Sequence, residues 1–76
     1  GFWAVAIGGN VAACRAAAGM TQAALAAGMK STRQAVCRLE AGKQFPSLAT
    51  LLRAAESLGV DPCRLLEAPK KGKGKK

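Results

Sequence analysis

Arg33, Gln34 and Arg38 are the side chains of this sequence best suited to specific polar chemistry. Arginine presents several N–H donors in a fixed fork, and the glutamine amide both donates and accepts hydrogen bonds. On a helix, such groups can pair bidentately with the base edges exposed in the major groove of duplex DNA. Catalytic groups are scarce, since the chain has no histidine and four acidic residues. We therefore expect a binding protein rather than an enzyme.

The cysteines do not form a recognisable metal site or nucleophile. Cys14, Cys37 and Cys63 are odd in number, far apart and outside any Cys-x-x-Cys pair. Without histidine, the common zinc patterns and a Cys–His nucleophile are excluded. We expect free thiols in a reducing cytoplasm, with no metal and no cofactor. Cys14 is predicted in the core, Cys63 near the surface of the last helix, and Cys37 as a small neutral residue on an exposed face.

Cap residues and apolar spacing predict five short helices and no clear strand. The predicted helices cover residues 11–18, 22–27, 33–41, 48–58 and 62–66. The expected N-caps are Thr21, Thr32, Ser47 and Asp61. Glycines 19, 42 and 59 are expected to end three of the helices. These elements predict a compact all-α domain over residues 7–67.

The predicted core is built mainly from the last three helices. The fourth helix has the clearest amphipathic pattern, with apolar residues at i, i+3, i+4 and i+7. The residues of that pattern are Leu48, Leu51, Leu52, Ala55 and Leu58. Leu25, Val36 and Leu39 are expected to face them, with Val11 and Cys14 from the first helix.

The ends of the chain differ in character from this domain. Residues 1–6 are interpreted as an apolar N-terminal arm that either packs on the core or adds to a contact between two copies. The segment is too short for a membrane span, which needs about 20 apolar residues, and no basic stretch precedes it. Residues 68–76, rich in lysine and glycine, are expected to be disordered. We expect a cytoplasmic protein of 76 residues with one domain.

The net charge favours an anionic partner. Twelve basic and four acidic residues give +8. Five lysines lie in residues 70–76, and the rest of the chain carries +3. The basic tail has three open interpretations: non-specific attraction to DNA, the remnant of an expression tag, or an aid to solubility.

Residues 21–42 resemble the helix-turn-helix of the phage lambda repressor/Cro and Xre-like regulators. The resemblance is carried without a gap by Thr21-Gln22, Leu25-Ala26, Val36, Leu39-Glu40 and Gly42. It extends outward on both sides, from Ile7-Gly8 to Leu65-Leu66. It implies a five-helix lambda repressor-like fold that binds double-stranded DNA.

The resemblance also implies roles for individual residues. Arg33 and Gln34 stand at positions that read bases in the family, and Arg38 lies one turn further along. Gln22 stands at the position that contacts a phosphate. Contacts to the DNA backbone are also expected from Lys30, Thr32 and Lys43. Glu40 is expected to be an internal hydrogen-bonding group, since phosphate would repel a carboxylate.

The sequence departs from the family in the turn of the motif. The family usually has glycine where Lys30 stands, because a left-handed backbone costs glycine little. Gly28 lies two residues earlier. Either Lys30 adopts the left-handed conformation, or the preceding helix is shorter and the turn is longer.

The function implied by this resemblance is a sequence-specific transcriptional regulator. We expect a repressor that binds an inverted-repeat operator as a homodimer, with half-sites about 10 base pairs apart. Family precedent places the dimer contact in the last helices. One alternative is an antitoxin-type or other protein-partner module on the same fold. Another is non-specific compaction of nucleic acid by the lysine tail.

Overall fold

The computed structural model describes residues 2–68, which form five α-helices and no strand. The helices are α1 Phe2–Ala17, α2 Gln22–Gly28, α3 Arg33–Ala41, α4 Leu48–Leu58 and α5 Pro62–Leu65. The predicted all-α, five-helix architecture is confirmed. No helix in the described part of the chain is both long enough and apolar enough to cross a membrane.

Helices α2 to α5 begin where the sequence predicts, because a polar side chain caps each of them. At the start of α3, Thr32 Oγ1 accepts a hydrogen bond from the backbone N–H of Ala35 at 3.1 Å. Such a bond satisfies one of the N–H groups that have no partner within the helix. The equivalent caps are Thr21, Ser47 and Asp61. Pro62 at the first position of α5 needs no N–H partner.

Helix α1 is longer than predicted. It begins at Phe2, so the residues interpreted as an N-terminal arm form its first turns. Ile7 is fully buried in the core. Phe2, Trp3 and Val5 are exposed, and the rings of Phe2 and Trp3 meet edge to face with centroids 5.2 Å apart.

Glycines allow α1 to approach α3 closely. A Cβ atom on Gly8 would overlap the carbonyl oxygen of Leu39. A Cβ atom on Gly42 would lie 2.8 Å from the Cα atom of Val5. The helix therefore tolerates glycine in its interior because the backbone of α3 packs against it there. This non-local contact explains why the propensity of residues 2–10 does not reveal the true start of α1.

The core lies where the five helices meet. Its buried members are Ile7, Val11, Cys14, Leu25, Ala26, Met29, Val36, Leu39, Leu51, Ala54, Ala55, Leu58 and Leu65. The predictions for Leu25, Val36, Leu39 and Cys14 are confirmed. Met29, interpreted from the sequence as a turn residue, is also buried.

Two members of the predicted apolar stripe on α4 are not buried. Leu48 is 69% exposed and Leu52 is 47% exposed. Each residue turns the helix by about 100°. The buried side of α4 centres on Leu51, Ala55 and Leu58, so Leu52 points well away from it. The prediction that these two leucines face the core is therefore wrong, and they form an exposed apolar surface.

A side chain of α1 holds the end of the described chain in place. Asn10 Nδ2 donates hydrogen bonds to the carbonyl oxygens of Leu65 at 2.8 Å and Glu67 at 2.7 Å. The contact ties the last turn of α5 to the middle of α1. The lysine-rich tail beyond Ala68, predicted to be disordered, lies outside the described residues.

Candidate nucleic-acid interface

Helix α3 separates an apolar face from a polar one. Val36 and Leu39 are buried against the other helices. Gln34, Cys37 and Arg38 are exposed on the outer side. Because this side carries hydrogen-bonding groups and no large apolar residue, it is suited to a polar ligand in the surrounding solvent.

Arg33 and Gln34 lie at the edge of α3 that faces α2. Together with Cys37 and with Gln22 of α2, they line a hollow of about 230 Å³. The structure therefore brings together two predicted base-contacting residues and one predicted phosphate-contacting residue. Gln22 is the first residue of α2, while Arg33 and Gln34 open α3.

Arg38 lies on the opposite edge of the exposed face, toward α4. It lines a groove of about 330 Å³ with Ser31, Phe45 and Ser47, among other residues. The predicted base-contacting residues are thus spread across the width of α3. Arg33 marks one edge of that face and Arg38 the other.

The turn between α2 and α3 takes the first of the two conformations considered from the sequence. Lys30 has a φ of +57° and is the sole non-glycine residue with positive φ among residues 2–68. The N–H of Ser31 donates to the carbonyl oxygen of Ala26 at 2.8 Å, which closes the end of α2. Lys30 and Thr32 are both exposed, so their side chains stand between the two helices of the motif.

Lys43 lies at the other end of α3. It is exposed and follows Gly42, which has a φ of +71°. Its backbone N–H donates to the carbonyl oxygen of Arg38 at 3.2 Å. The predicted backbone contacts Lys30 and Lys43 therefore flank α3 at its two ends.

Glu40 faces the interior side of the motif, as expected. Its carboxylate oxygens accept hydrogen bonds from Arg15 Nε at 2.6 Å, Arg15 Nη2 at 3.2 Å and Gln22 Nε2 at 3.0 Å. The hydrogen bond from Arg15 to Glu40, and the negative charge of Glu40, raise the pKa of Arg15 above its ordinary value. The sequence analysis missed this pairing, because Arg15 and Glu40 are 25 residues apart and no local spacing signals it.

The cysteines take the positions expected of them. Cys14 is buried, Cys37 and Cys63 are exposed, and all three are free thiols. A side-chain hydrogen bond with Asp61 raises the pKa of the Cys63 thiol. Within residues 2–68, no cluster of three or more acidic, cysteine or histidine side chains is placed to hold a metal ion.

A second surface, on the α4 side of the molecule, is apolar. Leu48 and Leu52 are one helical turn apart on α4 and both project outward. Leu66, which follows α5, is 42% exposed, and α5 packs against α4. Phe45, just before α4, is exposed as well.

The two helices α2 and α3, joined by a short turn and presenting a polar outer face, define a helix-turn-helix DNA-binding domain. The helix-turn-helix family model matches residues 11–65, most of the chain. This protein therefore belongs to the lambda repressor/Cro-like (Xre) helix-turn-helix family, as the sequence analysis predicted. The family consists of non-enzymatic DNA-binding regulators, and this chain is a DNA-binding transcriptional regulator.

Solved structures show the same fold. The chain is similar to the restriction-modification controller protein C.AhdI from Aeromonas hydrophila, with 31% sequence identity and a TM-score of 0.79. That match covers 82% of this chain and 94% of C.AhdI. The clp gene regulator ClgR from C. glutamicum shares the fold with a TM-score of 0.83 and 24% identity, over 87% of this chain and 86% of ClgR. Among curated proteins, none matches this chain.

Proposed function

We propose that this protein is a repressor that binds an inverted-repeat operator in double-stranded DNA as a homodimer. The observation that carries the proposal is the outer face of α3, where Arg33, Gln34 and Arg38 are exposed together while the opposite face is buried. An α-helix of this kind fits the major groove of B-DNA. The likeness to C.AhdI, a restriction-modification controller protein, supports a regulatory role.

Base recognition is assigned to three residues of α3. Arg33 and Arg38 each offer parallel N–H donors that match O6 and N7 of guanine, and Gln34 can pair with N6 and N7 of adenine. Their spread across α3 supports contacts to different base pairs of one half-site. Arg33 and Gln34 are at the N-terminal end of the helix, the end that base-reading residues of helix-turn-helix proteins occupy.

Phosphate contacts are assigned to residues around this face. Lys30 and Lys43 lie beyond opposite ends of α3 and carry positive charge toward solvent. Thr32 caps α3, and its hydroxyl keeps a free donor because the oxygen accepts from Ala35. Gln22 lines the same hollow as Arg33. Such contacts position a protein on the duplex without reading its sequence.

The homodimer is assigned to the apolar surface of α4 and its neighbour α5. Leu48, Leu52 and Leu66 are exposed there, on the side of the molecule away from the buried face of α4. Burying them against the same residues of a second copy would remove apolar area from water. Two copies related by a two-fold axis would present two α3 helices to half-sites about one helical turn apart.

Repression follows from the size of the complex. A dimer covering two half-sites would block RNA polymerase from a promoter that overlaps them. No further domain is needed for this mechanism, since occupancy of the operator is sufficient. Regulation would then depend on the concentration of the protein itself.

Selection of bound duplexes from a random DNA pool tests the proposal directly. The selection should be run near physiological salt, because electrostatic attraction alone supports binding at low salt. We expect enrichment of an inverted repeat whose half-sites are centred about 10 base pairs apart. Enrichment of single half-sites would contradict the dimer, and a pool without any enriched sequence would contradict sequence-specific recognition.

A further inference from the structure

We propose that Glu40 is a positioning residue for DNA binding, which fixes the side-chain amide of Gln22 with its N–H donors available to a phosphate. The inference rests on the proposed function, because it explains how Gln22 makes its assigned contact. Glu40 itself is not expected to touch DNA. It acts through Gln22, while Arg15 supports it from behind.

The carboxylate of Glu40 is enclosed and fully engaged. Its side chain is 8% exposed. One oxygen, Oε2, accepts from Arg15 Nε at 2.6 Å, and the other, Oε1, accepts from Arg15 Nη2 at 3.2 Å and from Gln22 Nε2 at 3.0 Å. Three donors therefore converge on two oxygens, and these contacts join α1, α2 and α3.

Arg15 is held in turn by the backbone. Its Nη1 donates to the carbonyl oxygen of Met20 at 2.8 Å, in the loop between α1 and α2. The guanidinium thus bridges this loop and the end of α3. Because a planar guanidinium and a carboxylate pair in a fixed geometry, Glu40 has little freedom to turn away from Gln22.

The ionised carboxylate determines which way the Gln22 amide points. A carboxylate only accepts hydrogen bonds, so the amide must turn its NH2 group, not its oxygen, toward Glu40. One N–H of that group is used by Glu40, and the second is left for a ligand. A phosphate is also an acceptor, so an amide turned the other way would present an oxygen that phosphate repels.

The arrangement also explains how a carboxylate is tolerated next to a DNA-binding face. Arg15 neutralises the charge of Glu40 at contact distance. The pair lies on the inner side of Gln22, so the amide separates it from the hollow lined by Arg33 and Gln34. A DNA phosphate reaching Gln22 would meet an N–H donor first.

A double-mutant cycle on Gln22 and Glu40 tests this role. The variants are Gln22→Ala, Glu40→Ala and the double variant, and the measurement is the Kd for a duplex of random sequence at low salt. Glu67→Ala is the matched control, because Glu67 also pairs with an arginine, Arg64, but lies exposed at the end of α5. It removes the same negative charge at a distance from the motif.

We expect Gln22→Ala and Glu40→Ala each to weaken binding by about tenfold, the scale of one hydrogen bond to a charged group. In the double variant the two losses should not add, because Glu40 has no effect without Gln22. Glu67→Ala should bind at least as tightly as the unaltered chain, since it removes a repulsive charge. Additive losses would overturn the inference and leave Glu40 with a structural role alone.

A conservative variant separates positioning from stability. In Glu40→Gln, an amide oxygen placed at the Oε1 position still accepts from Gln22 and from Arg15 Nη2. This variant should therefore recover most of the DNA affinity lost in Glu40→Ala, although urea unfolding should show reduced stability in both. Equal loss of affinity in the two variants would overturn the inference.

The proposed function and this inference fail in different ways. An unaltered chain that binds no duplex contradicts both. A chain that binds DNA normally, with Gln22→Ala as tight as the unaltered protein, contradicts the inference and leaves DNA binding intact.

Discussion

The turn from α2 to α3 and the turn from α4 to α5 have the same backbone construction but different residues at the decisive position. In each, one residue has positive φ, Lys30 at +57° and Gly59 at +71°. The next N–H donates to a carbonyl oxygen five residues earlier, at 2.8 Å for Ser31 and 3.0 Å for Val60. Two residues after the positive φ comes the N-cap of the following helix.

This comparison shows that the local fold does not require lysine in the turn of the motif. Glycine adopts the same conformation at lower cost, as Gly59 does. Lysine at position 30 adds a positive charge beside α3, where we assign a DNA phosphate. Residues held in unfavourable backbone conformations are concentrated at functional sites, which supports that assignment.

The faces exposed by the two halves differ as well. The outer side of α3 carries Arg33, Gln34 and Arg38, whereas the outer side of α4 carries Leu48 and Leu52. We assign the polar face to DNA and the apolar face to a second copy of the chain. Substitutions placed on one face should therefore disturb one activity and spare the other.

The largest effect is expected from Arg33→Ala. Loss of a bidentate contact to a base costs about 1–3 kcal/mol, and a dimer loses it in both half-sites. Specific binding to the selected duplex should therefore be abolished at physiological salt, while the urea midpoint stays unchanged because Arg33 is exposed. Fluorescence anisotropy with the selected duplex measures the change.

Arg53→Ala provides the control for this experiment. Arg53 is an exposed arginine on α4, so its removal changes the net charge equally without altering α3. Binding should weaken little and equally for all duplexes. If Arg33→Ala keeps its preference for the selected sequence, or if Arg53→Ala loses it, the division between the two faces is wrong.

The fold was predictable wherever its signals are local. The bounds of α3, residues 33–41, are confirmed because Thr32 caps its start and Gly42 ends it. The start of α1 was not predictable, since glycine favours loops until the backbone of α3 packs against it. On α4, the apolar spacing covers a wider arc than the core does, so it could not show that Leu48 and Leu52 are exposed.

The candidate site was predictable to a different degree. The exposure of Gln34, Cys37 and Arg38 follows from helical spacing once Val36 and Leu39 are placed in the core. The internal position of Glu40 was also foreseen. Its partner Arg15 was not, because a contact between residues so distant in sequence depends on how α1 and α3 pack. The DNA contacts themselves remain predictions.

A smaller effect is expected from Leu52→Asp, which tests the apolar face. A charge placed in an apolar interface without a partner loses hydration, so the dimer should dissociate at least about tenfold more readily. Since Leu52 is half-exposed in the single chain, the fold should persist. Sedimentation equilibrium over a range of concentrations gives the dimer dissociation constant.

Ala13→Asp is the matched control, because Ala13 is exposed on α1 and the substitution introduces the same charge. It should leave association unchanged. A dimer as stable in Leu52→Asp as in the unaltered chain would show that another surface joins the copies. Weaker association in both variants would point to net charge rather than to the α4 face.

The smallest effect is expected from exchanging residues between the two turns. Lys30→Gly should raise the free energy of unfolding by about 0.5–1 kcal/mol, because glycine relieves the left-handed strain. Gly59→Lys should lower it by about 1 kcal/mol. A Cβ atom at Gly59 meets no atom within 4 Å, so that loss reports the backbone conformation rather than a clash. Urea unfolding measures both.

DNA binding distinguishes strain from function in the same pair of variants. Lys30→Gly should bind DNA less tightly although it is more stable, and the slope of log K against log salt should fall by about 0.9, the value for one lost phosphate contact. Gly59→Lys adds a positive charge far from α3 along the chain and should not deepen the preference for the selected duplex. Stability gained in Lys30→Gly without any loss of affinity or slope would show that the lysine serves no DNA contact, and the unfavourable backbone at position 30 would then have no functional explanation.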